Sequence, residues 1–234
     1  MTKQFDLKIK KPTRSQMCPL GYHIVKGHQR TCANGTETWV DTHVRKNHGK
    51  HVIYLPENLL YLYWNNKHAF SNLNAIKGYL GYHEIDSIIQ FWLEYWRGIF
   101  SQFPEIDPLL IKALIAKESS FNHKADPNVS HSSAYGLMQI VDSARNALSG
   151  NIQSSVTQHF INVEREDLAD PVINIAVGIR WLVVKYFNVS KRKGDKTHNL
   201  IKAYYGHKDS HENEKYLQSI LKLYHDSLPA RSKH

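Results

Sequence analysis

Twice in this chain an Asp-Pro pair stands directly before an apolar run, at Asp107-Pro108 and at Asp170-Pro171. Each pair fixes where a helix must begin. An aspartate at the N-cap accepts hydrogen bonds from the unpaired amides of the first turn, and a proline at the next position already has the helical φ. The first pair opens a helix predicted to run to about Ser119. The second opens one that carries Val172, Ile175, Ala176, Ile179, Leu182, Val183 and Tyr186 on one face. Between and around them the same texture continues. Pro56 suits the first position of a helix to about Asn65, and Asn72 to Gly81 reads as a shorter one. Ile85, Ile88, Ile89, Trp92, Trp96, Ile99 and Phe103 recur at steps of three and four, ending before Pro104. Asp142 or Ser143 caps a helix to about Leu148, stopped by Gly150. Two more are expected near His198–Tyr205 and His211–Ser227. The fold class is therefore mainly α.

The aromatic stripe of the Ile85–Phe103 segment has two readings, a membrane-surface face or a core face. No basic face opposes it, which favours the core. No uninterrupted apolar run reaches the ~20 residues that a membrane helix needs, so no stable membrane insertion is expected.

The first 53 residues have a different character. They hold ten Lys/Arg against three acids, a formal +7 within a chain total of +9. Val25-Lys-Gly-His28-Gln-Arg30 and Val40-Asp-Thr-His43-Val-Arg45 share a V-x-x-H-x-R pattern, and Ala33-Asn34-Gly35-Thr36 between them has turn chemistry. A small β-hairpin is the expectation. The charge suits an anionic partner, and the anionic cell envelope, acidic lipid and nucleic acid all qualify. Nucleic acid is the least favoured, because the stretch lacks the interleaved aromatics of a base-stacking platform. Cys18, His23, His28 and Cys32 fall within fifteen residues, but their spacing matches no common zinc site. The two cysteines are left either as free thiols or as one disulfide, and no metal or cofactor is expected. The sequence divides into a basic module (1–53), a helical lead-in (54–103) and a helical domain (104–230).

Glu118 is the residue that calls for chemistry. On the helix opened by Pro108 it shares a face with Ile111, Leu114 and Ile115. A carboxyl on an apolar face is costly when ionised, so its pKa rises, as a general acid near neutral pH requires. A structural glutamate satisfied by a lysine or by amides fits the same position.

Four blocks follow in order: Glu118-Ser119-Ser120-Phe121-Asn122; Ala134-Tyr135-Gly136-Leu137-Met138-Gln139-Ile140; Asp170-Pro171-x-x-Asn174-Ile175-x-x-Gly178; and Ala203-Tyr204-Tyr205-Gly206. Over about residues 104–228 this resembles the soluble lytic transglycosylase (SLT) domain, related in fold to goose-type lysozyme. The resemblance implies a lysozyme-like helical domain acting on peptidoglycan glycan strands. It implies cleavage of the β-1,4 bond between N-acetylmuramic acid and N-acetylglucosamine, with a 1,6-anhydro product. Glu118 would act as the single acid/base and Tyr204 would hydrogen-bond its carboxylate. The Gly136–Gln139 backbone and the Gln139 side chain would wall the sugar site, with Leu137 within that block and Met138 as an apolar platform. Ser119 is left either as a substrate contact or as a helix-end cap. The last block departs from the family: Tyr205, Gly206 and His207 stand where an Asn, a small residue and a Gly are usual, so Tyr205 or His207 would reshape the cleft.

A water-using muramidase on the same fold would need a second carboxylate. Asp107 and Asp170 are better read as caps, and Glu105 lies away from the motifs; Asp126 and Asp142 flank them and stay open. A third class is a non-catalytic wall-binding or virion structural protein, against which the retained Glu118 and Tyr204 count. The start of the sequence has charge but no apolar signal core. Action on the wall is therefore expected after delivery by a phage particle, a lysis pore or a secretion system, with the basic module holding the protein to the envelope.

Overall fold

A computed structural model describes residues 7, 9–125, 134–150, 156–206 and 209–229. Both Asp-Pro pairs do what their chemistry demands. Asp107 Oδ1 accepts from the Leu109 amide at 2.8 Å and begins helix α3, Pro108–Ser119. Asp170 Oδ1 accepts from the amides of Val172 and Ile173 and begins α5, Pro171–Val189. The remaining helices are α1 (Pro56–Asn66), α2 (Asp86–Ile99), α4 (Asp142–Leu148), α6 (Lys196–Tyr205, capped by Asp195) and α7 (Ser210–Asp226, capped by Asp209). The architecture is mainly α, with small two-stranded sheets.

α5 is the axis of the core. Fifteen of its residues are buried, with α2, α1 and α6 packed around it. By length and apolar content alone it would pass for a membrane span. Arg180 interrupts the run, and 78% of that apolar window is buried inside the protein. Arg180 is itself accommodated: its guanidinium donates to the carbonyls of His159 and Gln158 and lies over the Phe100 ring.

Two helix expectations change. α2 stops at Ile99 rather than Phe103, and the chain turns through Phe100–Phe103. The segment Asn72–Gly81 forms no helix. Gly78 and Gly81 adopt φ of +88° and +92°, and Ile76 bridges Tyr79 across a turn. Asn74 Nδ2 donates to the Ser227 carbonyl, and the Lys77 amide to the Ser227 hydroxyl. Without helical partners, the Lys77 amide is satisfied by Ser227 and the Leu73 amide by Asp86 Oδ2.

The expected hairpin is present and longer than its turn suggested. β1 (Tyr22–Val25) pairs with β4 (His43–Lys46), and β2 (His28–Thr31) with β3 (Glu37–Val40), both antiparallel in a single register. The two V-x-x-H-x-R copies pair with each other, since Val25 faces His43 and His28 faces Val40. At its base the hairpin is tied to α1. Buried Asn58 donates from Nδ2 to the carbonyls of Cys18, Pro19 and Tyr22, and Glu57 accepts from the Ile24 amide. β5 (Ile53–Tyr54) runs parallel to β8 (Phe160–Ile161), and β6 (Ala134–Tyr135) pairs with β7 (Ile140–Val141).

Cys18, His23, His28 and Cys32 do not converge. Cys18 is buried against Asn58, His23 bonds Asn47, His28 bonds the Lys26 carbonyl, and Cys32 sits at the hairpin turn beside Thr38. Both cysteines are free thiols, and burial raises that of Cys18 to about 11. Among the described residues no group of three His, Cys, Asp or Glu is arranged to hold a metal.

Candidate active site

Glu118 occupies the last turn of α3, half-buried, where the helix meets α7. The helix ends sharply: Ser120 and Phe121 both take left-handed φ, +52° and +63°. For a phenylalanine this conformation costs of order 1–3 kcal/mol and persists only where packing over-determines it. The packing here is aromatic. Phe121 is fully buried and stacks on Tyr82 at 4.4 Å between centroids, with Tyr79 edge-on at 5.3 Å.

The carboxyl of Glu118 receives a hydrogen bond from the Tyr216 hydroxyl of α7. Burial raises its pKa above the ordinary carboxylate value; the Tyr216 bond and the Lys117 charge pull back only part of that rise. Tyr216 is in turn covered by Tyr205, stacked at 4.2 Å with an 8° tilt. The tyrosine expected to hold the carboxylate, Tyr204, does something else. Its hydroxyl donates to the Met138 carbonyl at 2.6 Å. Burial raises its pKa well above the ordinary phenol value, and the Glu118 charge nearby raises it further.

The second motif block is a tight β6–β7 turn, and its side chains face the core. Leu137 and Met138 are fully buried, so Met138 is no exposed platform for a sugar. The reason lies across the interface: a Cβ at Gly178 of α5 would meet Met138 Sδ at 2.3 Å, so only glycine leaves room for the thioether. The backbone of the turn is occupied as well. Asn174, also on α5 and 0% exposed, accepts from the Met138 amide and donates to the carbonyls of Tyr135 and Leu168. Gly136 takes φ +69°, and a Cβ there would lie 2.2 Å from Asn174 Nδ2. Ser119 is buried and donates to the Leu137 carbonyl at 2.8 Å, which ties α3 to the turn beside Glu118. Gln139 is half-buried at φ +49°, its amide turned back on the Gly136 and Ala125 carbonyls.

The motif blocks thus hold one another. α5 grips the turn through Asn174 and Gly178, the turn is bound to α3 by Ser119 and to α6 by Tyr204, and α7 brings Tyr216 to Glu118. Sequence reasoning missed Tyr216, Tyr205 as its cover, and Asn174 as a clamp. The aromatic position in α7 was visible, but its role needs the α3–α7 contact.

Among the other carboxylates, Asp107 and Asp170 are caps, and Asp107 also accepts from Tyr224. Glu105 is exposed and paired with Arg97. Asp142 is the first residue of α4 rather than its cap, and it faces Arg145 at 3.4 Å. Asp126, His207 and most of the polar loop after Asn122 lie outside the described residues.

No curated protein and no solved structure matches the chain. The sequence model of the transglycosylase SLT domain matches residues 94–220, the stretch that contains Glu118, the Asn174–Gly136 clamp, Tyr204 and Tyr216. The chain therefore belongs to the transglycosylase SLT domain family, a transglycosylase-type enzyme acting on peptidoglycan.

Proposed function

We propose that the protein is a lytic transglycosylase that cleaves the MurNAc–GlcNAc β-1,4 bond with Glu118 as its single acid/base. The supporting observation is the state of Glu118: a carboxyl whose pKa is raised by burial and which is oriented by the Tyr216 hydroxyl. Glu118, protonated, gives its proton to the glycosidic oxygen as the C1–O bond breaks. The resulting carboxylate takes the proton of the muramyl C6 hydroxyl, whose oxygen bonds to C1 and closes the 1,6-anhydro ring. One group serves both steps, so no second carboxylate is required, unlike the usual paired design. Tyr216 stabilises the carboxylate midway and Tyr204 fixes the Met138 carbonyl beside it. The exposed Tyr205 ring offers a stacking contact to the sugar.

The basic N-terminal hairpin holds the enzyme on the anionic envelope, and the wall outside the cytoplasm is where it acts. A phage particle, a lysis pore or a secretion system delivers it. Mass spectrometry of a digest of purified wall tests the reaction. Anhydromuramyl ends are expected. Reducing ends, heavier by one water, would assign a hydrolytic muramidase, and no cleavage would leave a wall-binding or virion structural role.

A further inference from the structure

The β2–β3 ladder carries a feature that the cleavage chemistry does not use. Trp39 is 66% exposed, in a ladder whose other strand is exposed at every position. Placing an indole in water forgoes the burial that a side chain of 150–250 Å² normally obtains. Yet the ring is not loose. It lies against Gly27, where a Cβ would come within 2.9 Å of Trp39 Cζ2 and 3.4 Å of Cε2. The Gly27 amide is pinned to the Thr42 hydroxyl at 2.9 Å. One side of the indole is seated on backbone, leaving the rest of the ring to solvent.

The neighbours of the ring are polar. Gln29 stands directly opposite Trp39 in the register, on the same face, and its Nε2 donates to Glu37 Oε2 at 2.7 Å. An amide–carboxylate pair beside a flat ring offers donors and acceptors to sugar hydroxyls and acetamido groups. Lys26, Arg30 and Arg45 are exposed on the same hairpin, and their charge complements the carboxylates of muramyl residues and their peptide stems. A lipid-inserting surface would present several apolar side chains together, and here Trp39 stands among polar ones.

We propose that this hairpin is a second glycan-binding site, separate from the cleavage centre, in which Trp39 stacks on a pyranose ring of the peptidoglycan strand. The inference rests on the proposed wall substrate and deepens it. The module's charge draws the protein to the wall, and the indole gives a contact that persists when charge is screened.

The test is co-sedimentation of the full-length protein with purified sacculi, on ice, at 0.1 M and 0.5 M NaCl. The screening length falls from ~10 Å to a few ångström between these salts, so binding at 0.5 M isolates the stacking contact. Trp39→Ala should weaken binding at 0.5 M NaCl by about tenfold or more, and Gly27→Ala, which keeps the indole but displaces its seat, should weaken it too. Trp39→Tyr should retain most of it. Melting temperature and turnover of soluble glycan fragments should match wild type in Trp39→Ala, because the hairpin lies outside the cleavage centre. Wild-type binding by Trp39→Ala at 0.5 M NaCl would overturn the proposal. So would Trp39-dependent binding to single-stranded DNA or to acidic phospholipid vesicles with none to sacculi. Failure of the cleavage reading would show separately, as sacculi that bind the protein but yield no cut ends.

Discussion

The Tyr216 hydroxyl donates to the Glu118 carboxyl across 98 residues of sequence. This bond joins helix α3 to helix α7 at the candidate site. Its effect on Glu118 opposes that of burial: desolvation favours the neutral acid, and the phenol favours the carboxylate. A group that must first give a proton and then take one benefits from both influences. Removing either side chain therefore has separable consequences.

Glu118→Gln keeps the shape and still accepts from Tyr216 through its amide oxygen, but it cannot move a proton. General acid–base catalysis contributes typically 10²–10⁴-fold, and one group serves two steps here, so turnover of purified wall should fall by at least about 10²-fold. Stability should move the other way. The folded pKa of Glu118 is raised, so ionising it costs stability above the folded pKa, and the cost vanishes below the unfolded one. Thermal unfolding should thus show Glu118→Gln more stable than wild type at pH 7, with the gap closing towards pH 4. Wild-type turnover in this variant would remove Glu118 from the mechanism.

Tyr216→Phe should lower turnover by about tenfold, the scale of one hydrogen bond to a charged group. It removes an interaction that lowers the Glu118 pKa, so the alkaline limb of the pH–rate profile should shift upwards. Tyr204→Phe should leave that limb in place. Its loss falls on the Met138 carbonyl, and unfolding should show about 1–3 kcal/mol of destabilisation from the unpaired acceptor. An alkaline limb moved by Tyr204→Phe and untouched by Tyr216→Phe would reverse the two roles.

What the sequence disclosed about this site, and what it withheld, follows from the range of each interaction. The caps at Asp107 and Asp170 are local chemistry, and they are where the Asp-Pro pairs put them. The acid on the apolar face of α3 needs only helical periodicity. Tyr216 as the partner, and Met138 as core rather than sugar platform, depend on which helices meet, which spacing along a chain does not encode. The segment at Asn72–Gly81 has the same origin: its contacts with Ser227, more than 140 residues away, form where Gly78 and Gly81 take positive φ instead of helical angles. At the hairpin, turn chemistry at Asn34-Gly35 sufficed, but the seat that Gly27 makes for Trp39 did not show.

The clamp of α5 on the β6–β7 turn should be rigid enough to measure. Gly136→Ala forces a left-handed φ on alanine and places its Cβ 2.2 Å from Asn174 Nδ2 and 2.5 Å from the Leu168 carbonyl. Loss of stability by roughly 2–4 kcal/mol is expected in chemical denaturation, the left-handed alanine contributing about 1–2 of it. Asn174→Ala, which leaves buried donors and acceptors of three contacts unpaired, should cost a similar amount. Both should reduce turnover even where the fold is retained at low temperature, because Ser119 ties that turn to the Glu118 helix. Near-native stability of Gly136→Ala would mean that the turn yields easily and the clamp is not rigid.

A fragment beginning at Val52 tests the module boundary. It keeps β5 and helices α1 to α7, and it should fold and turn over soluble wall fragments. Its melting temperature should drop, because Asn58 loses the carbonyls of Cys18, Pro19 and Tyr22. Binding to intact wall should fall further than turnover does. An unfolded fragment, read by circular dichroism, would make residues 1–53 part of the catalytic core.

A buried charge pair holds α3 in place from its other end. Lys112 Nζ lies 2.7 Å from Asp86 Oδ1, and the two side chains are 0% and 2% exposed. Asp86 is further engaged by the Leu73 amide and by His83 through Oδ2, so the carboxylate is satisfied from several sides. Lys112 stands six residues before Glu118 on the same helix, and its pairing pins α3 against the start of α2. Removing one partner leaves the other charge buried alone, which typically costs 3–5 kcal/mol, whereas a well-packed apolar replacement of the pair is often neutral. Lys112→Ala and Asp86→Ala should each destabilise on that scale. The double variant Lys112→Met/Asp86→Ala should recover part of the loss, because no lone charge remains, although the Leu73 amide still lacks its acceptor. A double-mutant cycle by denaturant unfolding gives the coupling directly. Additive losses would show that the two charges do not depend on each other and that the pair does not pin α3 to the start of α2.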